Sequence, residues 1–305
     1  MAAKLVITGA NSALGRVVIE RALLQPEIEL VALVRSTRAQ AELPPLPCER
    51  ARAARVDWSD AAGLGEACEG ASGLVHLAGI LFESRETRYQ AANVETTRAA
   101  VAAARAAGVA KLVFVSAVHA DPRSPNPYWR SKGLAETLVR ESGITYTILR
   151  CPLLLGCRSA GVQALAREVR ARVLPLPGGG ANLEQPVDAR DLADGVLHAA
   201  LSAACARDEV LDVVGPESLP LRQLILRGAR ARATYPLIVP VPTAILKAVL
   251  ALRTRLLGPG FSPAVLDVML ADTRLDPEPA AKTLGLSLRP LDETLAHSLE
   301  LADAT

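Results

Sequence analysis

Aromatic residues are scarce: three Phe, two Trp and four Tyr make up 3% of the 305 residues. So few ring faces leave little to stack the bases of a single strand, and a net charge of +2 gives no basic field for a phosphate backbone. No nucleic-acid partner is expected. Cysteine is nearly as rare. Cys48, Cys68, Cys151, Cys157 and Cys205 are odd in number and contain no Cys-x-x-Cys, which reads as reduced thiols in a cytoplasmic protein. No His/Cys/Asp cluster has metal-ligand spacing, so no metal is expected. No uninterrupted apolar run reaches about eighteen residues, which excludes a membrane span and leaves peripheral contact as the remaining membrane option. The first strand-like run begins at Lys4, leaving no room for a targeting peptide. Lysine is the last scarcity, five against twenty-nine arginines.

What is present is a chain that can bury a large core. Half its residues are hydrophobic and 22% are charged, the balance of a globular protein. Short β-branched apolar runs at Lys4–Thr8, Glu29–Val34, Ala54–Asp57, Leu74–Leu77, Lys111–Ser116 and Thr145–Leu149 alternate with helical stretches near 13–24, 60–69, 87–107 and 128–142. That rhythm predicts an α/β fold, a doubly wound parallel sheet of the Rossmann kind with helices on both faces. The dinucleotide-binding core is expected over 1–156, with later sheet elements near 185–215 returning to it. Residues 157–305 are expected to complete that core and to form a smaller, mostly helical lobe over the substrate. Within them, 173–180 reads as a loop, Asp188–Ala204 as a capped helix and Glu209–Val214 as a strand. Prolines and glycines at 236–242 and 258–263 bracket a helix of about fourteen residues.

The turn Thr8-Gly9-Ala-Asn11-Ser12-Ala-Leu14-Gly15 follows a strand and opens a helix, the context of a dinucleotide phosphate site. Gly9 permits the turn, Gly15 lets helix and strand approach closely, and helix N-terminal amides face a pyrophosphate. Ser12 stands where a third glycine is expected; its hydroxyl is a possible phosphate donor. A structural βα turn is the plainer alternative. The second strand ends in Arg35, where an acid would accept the ribose hydroxyls of NAD. A guanidinium there would pair with the 2′-phosphate of NADP, so NADP(H) is preferred over NAD(H), unless Arg35 is a surface arginine. Asp57 and Trp58 close the third strand; Asp57 would either meet the adenine amino group or cap the next helix.

Tyr128 and Lys132 stand four residues apart in a chain with few of either, so about 0.07 chance occurrences are expected. On a helix the pair shares one face, the geometry of a phenol made acidic by an ammonium; an ordinary surface pair has the same spacing.

With Thr8-Gly9-x5-Gly15, Asp57, His76-Leu77-Ala78-Gly79, Asn93-Val94, Ser116 and Tyr128-x3-Lys132 in order, the chain resembles the short-chain dehydrogenase/reductase superfamily, in its extended and atypical branches. Leu149-Arg-Cys-Pro152-Leu-Leu-Leu-Gly156, Gln185–Ala193, Val214–Glu217 and Lys282–Leu286 resemble later markers. Residues 75–149 look most like proteins related to the nucleotide-binding accessory subunit of respiratory complex I. The resemblance implies Tyr128 as general acid–base, Ser116 as donor to the substrate oxygen, and Lys132 as clamp on the nicotinamide ribose and tuner of Tyr128. It places Leu77, Ala78, Gly79 and Pro152 beside the cofactor and Asn93 beneath the site. A free tyrosine titrates near 10, so action near pH 7 requires a fall of roughly three units, about 4 kcal/mol, and burial alone works against it. His119 would either touch substrate or lie in a solvated loop; His76 belongs to the buried fourth strand.

Segment 182–188, Asn182-Leu-Glu-Gln-Pro-Val-Asp188, is acidic and amide-bearing where nucleotide-sugar enzymes carry a basic residue, which disfavours a diphosphate-linked substrate. Segment 236–261 is strongly apolar and faces the core, a substrate or a partner. The reading is an NADP(H)-dependent oxidoreductase of a carbonyl/alcohol pair on a small, rather apolar molecule, as monomer or homodimer. The rivals are an epimerase or dehydratase and a non-catalytic NADP(H)-binding assembly protein.

Overall fold

In the computed structural model, residues 3–46 and 49–304 are described. Cys48 lies outside them; Cys68, Cys151, Cys157 and Cys205 are unbridged. Six strands alternate with helices through the first half: β1 (Ala3–Thr8), α1 (Ala13–Leu23), β2 (Ile28–Val34), α2 (Thr37–Ala41), β3 (Ala51–Arg55), α3 (Ala61–Cys68), β4 (Gly73–His76), α4 (Thr96–Ala106), β5 (Lys111–Ala117), α5 (Pro127–Arg140) and β6 (Thr145–Cys151). All pair in parallel. The strand Glu209–Asp212 joins the edge, giving the order 209–212, β6, β5, β4, β1, β2, β3. The chain therefore winds one way from β1 and the other way from β4, and the crevice between their carboxyl ends is where such sheets bind ligands.

Both faces of the sheet are covered. Leu5 and Ile7 pack with Val18, Ile19, Leu192 and Val196 on one side; Val6, Leu74 and Phe114 pack with Leu64, Ala104 and Val139 on the other. Burial on two faces explains why these strands read as continuous apolar runs and not as alternating ones. A buried ion pair ties α5 to β6: Glu136, 3% exposed, accepts from Arg150 Nε at 2.8 Å and Nη2 at 2.6 Å. That pair fixes the helix carrying Tyr128 against the sheet.

Several local readings are corrected. The third strand is 51–55, not 54–57, because its ladder runs opposite Leu30–Val34 and ends at Arg55. The stretch read as one helix over 87–107 opens with a π-helical turn, Gln90–Glu95. Helix Ala160–Arg170, capped by Ser159, had no counterpart in the reading. Residues Val173–Pro177 are a strand, not a loop, paired in parallel with Leu237–Val241. Three prolines are tolerated there because each strand of a two-stranded ribbon is an edge. The bracketed apolar segment does form a helix, Thr243–Leu257.

Candidate active site

Two cavities draw on the chain that follows β4. Leu77, Ala78, Gly79 and Ile80 line the first and Leu81 the second, so a five-residue run after β4 passes from one to the other.

The first cavity, about 210 Å³, gathers Gly9, Asn11, Ser12, Arg35, Trp58, Leu77, Ala78 and Gly79, eight of the residues expected at a dinucleotide. Gly9 has φ +66°, and a Cβ there would lie 2.7 Å from the Ala78 nitrogen; at Gly15 it would lie 2.4 Å from the Gly9 oxygen. Both glycines are therefore required by backbone crowding, which brings the turn onto β4. Ser12 caps α1, accepting from the Gly15 amide at 3.0 Å, so its hydroxyl proton stays free to donate outward. Asn11 donates to Glu42 at 2.9 Å, on the turn after α2. Arg35 is exposed and forms no ion pair among the described residues. Leu33, Val34, Val56, Leu64, Ala92 and Thr96 add apolar wall that no motif signalled.

Of the expected cofactor residues, Leu14, Gly15, Asp57, Asn93 and Lys132 do not line this cavity, and Tyr128 and Pro152 line the second. Leu14 is buried in the core beneath α1. Asp57 is exposed and accepts from the Ser59 amide and hydroxyl, which hold its carboxyl below the usual range. It neither lines the cavity nor caps α3; Asp60 does the capping, through the Gly63 amide at 2.9 Å.

The second cavity, also about 210 Å³, is mostly apolar and is lined by Tyr128, Trp129, His119, Cys151 and Pro152 from the nucleotide-binding half, and by Leu165, Glu168, Glu184, Leu224 and Met269 from beyond it. Asn126 caps α5 by accepting from the Tyr128 amide at 3.0 Å and donates to the Ala264 carbonyl at 2.8 Å, so the helix is pinned to the later chain. His119 has φ +67° and sets its ring edgewise against Trp129, 5.5 Å between centroids. It is both exposed and at the cavity wall.

Around Tyr128 the polar groups converge. Asn93, 1% exposed on the π-helical turn, accepts from the Ile80 amide at 2.8 Å and donates to Ser131 Oγ at 2.8 Å; Ser131 donates to the Tyr128 carbonyl. A helix irregularity thus positions both the cofactor-side loop and α5. Lys132 donates to the Val115 carbonyl at 2.8 Å and lies 4.4 Å above the Phe114 ring. Burial lowers it to about 8 against the pull of Cys151 and Glu136. Ser116 Oγ is buried with no hydrogen-bond partner among the described residues. The Tyr128 hydroxyl makes no hydrogen bond among the described residues. Its phenol is raised, not lowered: burial dominates, and Cys151 and Tyr89 add to it. In the chain alone the ammonium does not overcome desolvation; the expected fall required the positive nicotinamide of an oxidised cofactor as well. His76 bridges Thr8 and Thr97 at 2.7 and 3.0 Å, is held neutral by burial at about 3, and is structural.

Sequence reasoning passed over Glu184 and Glu168 as individual groups. Glu184 accepts from Asn182 at 2.9 Å; burial, with Asp272 and Glu168 nearby, pushes it up to about 8. Glu168 is likewise raised by burial. Neither pairs with a cation within ion-pair distance among the described residues. The acidic cast of segment 182–188 was the one signal available.

A family model described as NAD(P)H-binding matches residues 9–172, more than half of the chain. Quinone oxidoreductase 2 of Escherichia coli (strain K12) is 34% identical over 146 residues, 47% of this chain and 46% of that protein. The mitochondrial NADH dehydrogenase [ubiquinone] 1 alpha subcomplex subunit 9 of Arabidopsis thaliana is 26% identical over 182 residues, 59% of this chain and 45% of that one. The chain thus matches about half the length of these relatives. Among solved structures, UDP-glucuronic acid 4-epimerase from Bacillus cereus, in complex with UDP-glucuronic acid and NAD, superposes with a TM-score of 0.77 at 16% identity, over 99% of each chain. At that identity the likeness is one of fold. The matched segment contains the glycine turn, Arg35, the 77–81 run and the Tyr128–Lys132 helix, and the chain belongs to the NAD(P)H-binding family.

Proposed function

We propose that the chain binds NADP(H) in the first cavity and reduces a carbonyl group on a small, rather apolar molecule held in the second. The observation carrying this reading is that the cavity holding the glycine turn and Arg35 and the apolar cavity holding Tyr128, whose hydroxyl is unbonded among the described residues, are lined by consecutive residues of one run, Leu77–Leu81.

The residues fit the cofactor. Gly9 and Gly15 allow the close turn, Ser12 keeps a free proton for a phosphate oxygen, and Arg35 stands unpaired at the end of β2. When bound, the nicotinamide supplies or accepts hydride at its ring. Lys132 spends one of its three donors on Val115, leaving two for ribose hydroxyls. Tyr128, protonated near neutral pH, can give its proton to a substrate oxygen as negative charge builds there. Ser116 would donate to the same oxygen.

The mostly apolar cavity, with no cation among its lining residues other than the exposed His119, suits a neutral substrate better than a nucleotide-sugar diphosphate, which disfavours epimerisation. A binding protein without turnover is the remaining rival. The test is NADPH oxidation with a panel of neutral aldehydes, ketones and quinones. Tyr128→Phe should bind NADPH normally while turnover falls by about 10²–10⁴-fold, the usual share of a general acid. Unchanged turnover in Tyr128→Phe removes the catalytic assignment. NADPH binding with no substrate turned over favours the binding protein.

A further inference from the structure

Helix Thr243–Leu257 carries an exposed apolar stripe. Ile245, Val249, Leu252 and Leu256 are 57–71% exposed, although the helix is otherwise well formed. At 3.6 residues per turn their spacing of 4, 3 and 4 keeps all four within an arc of roughly 60°. Leu250, 7% exposed, points to the opposite side and anchors the helix to the protein. Arg253 and Arg255 fall on either flank of the stripe, roughly 80° from it. Neither pairs with a carboxylate among the described residues; Arg253 reaches only the Phe261 carbonyl, at 3.5 Å. The fifteen-residue helix contains no acid, and its lysine, Lys247, is paired with Asp267. The strand leading into it, Leu237–Val241, also turns apolar side chains outward, Leu237 and Val239.

A second copy of the chain fits this stripe poorly. Its spacing matches two heptads of a coiled-coil seam, fewer than the three or four that sustain one. An antiparallel partner would set the flanking arginines against their own counterparts, with no acid on the helix to separate them. A lipid surface answers both features. The stripe can enter the acyl boundary while the flanking guanidiniums reach anionic headgroups.

We propose that this helix docks the protein on an anionic phospholipid surface. The inference is independent of the reaction proposed above. Helix Pro263–Met269 packs against it and supplies Val268 and Met269 to the wall of the apolar cavity, so one short helix touches both the docking helix and the cavity.

The test is co-sedimentation of the full chain with vesicles of phosphatidylcholine alone or with one-third phosphatidylglycerol. The protein is expected to pellet with the anionic vesicles, less so as salt is raised. Leu252→Glu should cut the bound fraction by about tenfold or more, because a charge then sits in the stripe. Val249→Ser offers a milder variant with the same expected direction. Arg253→Gln with Arg255→Gln should weaken binding to anionic vesicles while leaving the thermal unfolding transition unchanged. Failure to pellet with either vesicle overturns the proposal. So does a Leu252→Glu protein that binds as the parent does. A dimer in sedimentation velocity that Leu252→Glu dissolves would assign the face to a second copy instead.

Discussion

Tyr128 and Lys132 share a helix face, yet their ionisation is governed by burial more than by each other. Desolvation raises the phenol and lowers the ammonium, and Lys132 is committed to a backbone carbonyl. Residue spacing was legible in the sequence; the direction of the phenol's shift was not, because it depends on what surrounds the ring. Arg35 belongs to the same scale. Unpaired at the cleft, it should contribute on the order of 1.5–3 kcal/mol to NADPH over NADH, or about ten- to hundred-fold. Arg35→Ala is expected to lose most of that preference in fluorescence titrations with the two cofactors. Equal affinities in the parent protein would refute it. Glu184 leads to a pH prediction. Its folded-state value rises from 4.5 to about 8, so the folded protein holds a proton that the unfolded chain releases. Stability should therefore decline as pH rises between those values and level off above about 8. In urea denaturation, Glu184→Gln is expected to flatten that decline, gaining stability relative to the parent at pH 8 and little at pH 4.5.

At the scale of elements, the turn between β1 and α1 is set by Gly9. Alanine there meets two penalties, a left-handed backbone and a Cβ 2.7 Å from the Ala78 nitrogen. The conformational term alone costs about 1–2 kcal/mol, and the contact with backbone atoms adds to it. Gly9→Ala is expected to lower the urea midpoint and weaken NADPH binding together, since the same turn packs on β4 and lines the cleft. A variant with parental binding and stability would show that the loop relaxes freely. The alternation of strands and helices through β6 was readable because both periods are local, two residues for a strand and 3.6 for a helix. The ribbon of Val173–Pro177 with Leu237–Val241 was not. Its prolines signal a loop, and only a partner some sixty residues away makes them a strand.

At the scale of the whole molecule, Asp188 ties distant segments together. It caps helix Ala189–Leu201, accepts from the Arg190 amide at 2.8 Å and guanidinium at 2.7 Å, and accepts from Thr294 of the final helix at 2.9 Å. Burial raises its carboxyl, but these bonds outweigh it and the net value is lowered. A depressed folded-state value stabilises above the unfolded value near 3.8 and loses that contribution as pH falls through the folded one. Asp188→Asn is expected to cost about 3 kcal/mol at neutral pH. The difference should narrow below pH 3.8, measured by urea denaturation across the range.

The sequence by itself determined the parallel α/β core, the glycine turn, the arginine at the end of β2 and the Tyr128–Lys132 pair. Each of these is written within a few residues, where sterics and periodicity act. Tertiary structure alone decided the rest. Asp57 bonds Ser59 and does not line the cleft. Asn93 met Ser131 across 38 positions of sequence. Glu184 came to face Tyr128's cavity, and an apolar helix was left with its stripe outward. The physical reason is shared: desolvation, pairing and exposure depend on which distant surfaces close over a residue, and no local pattern records them.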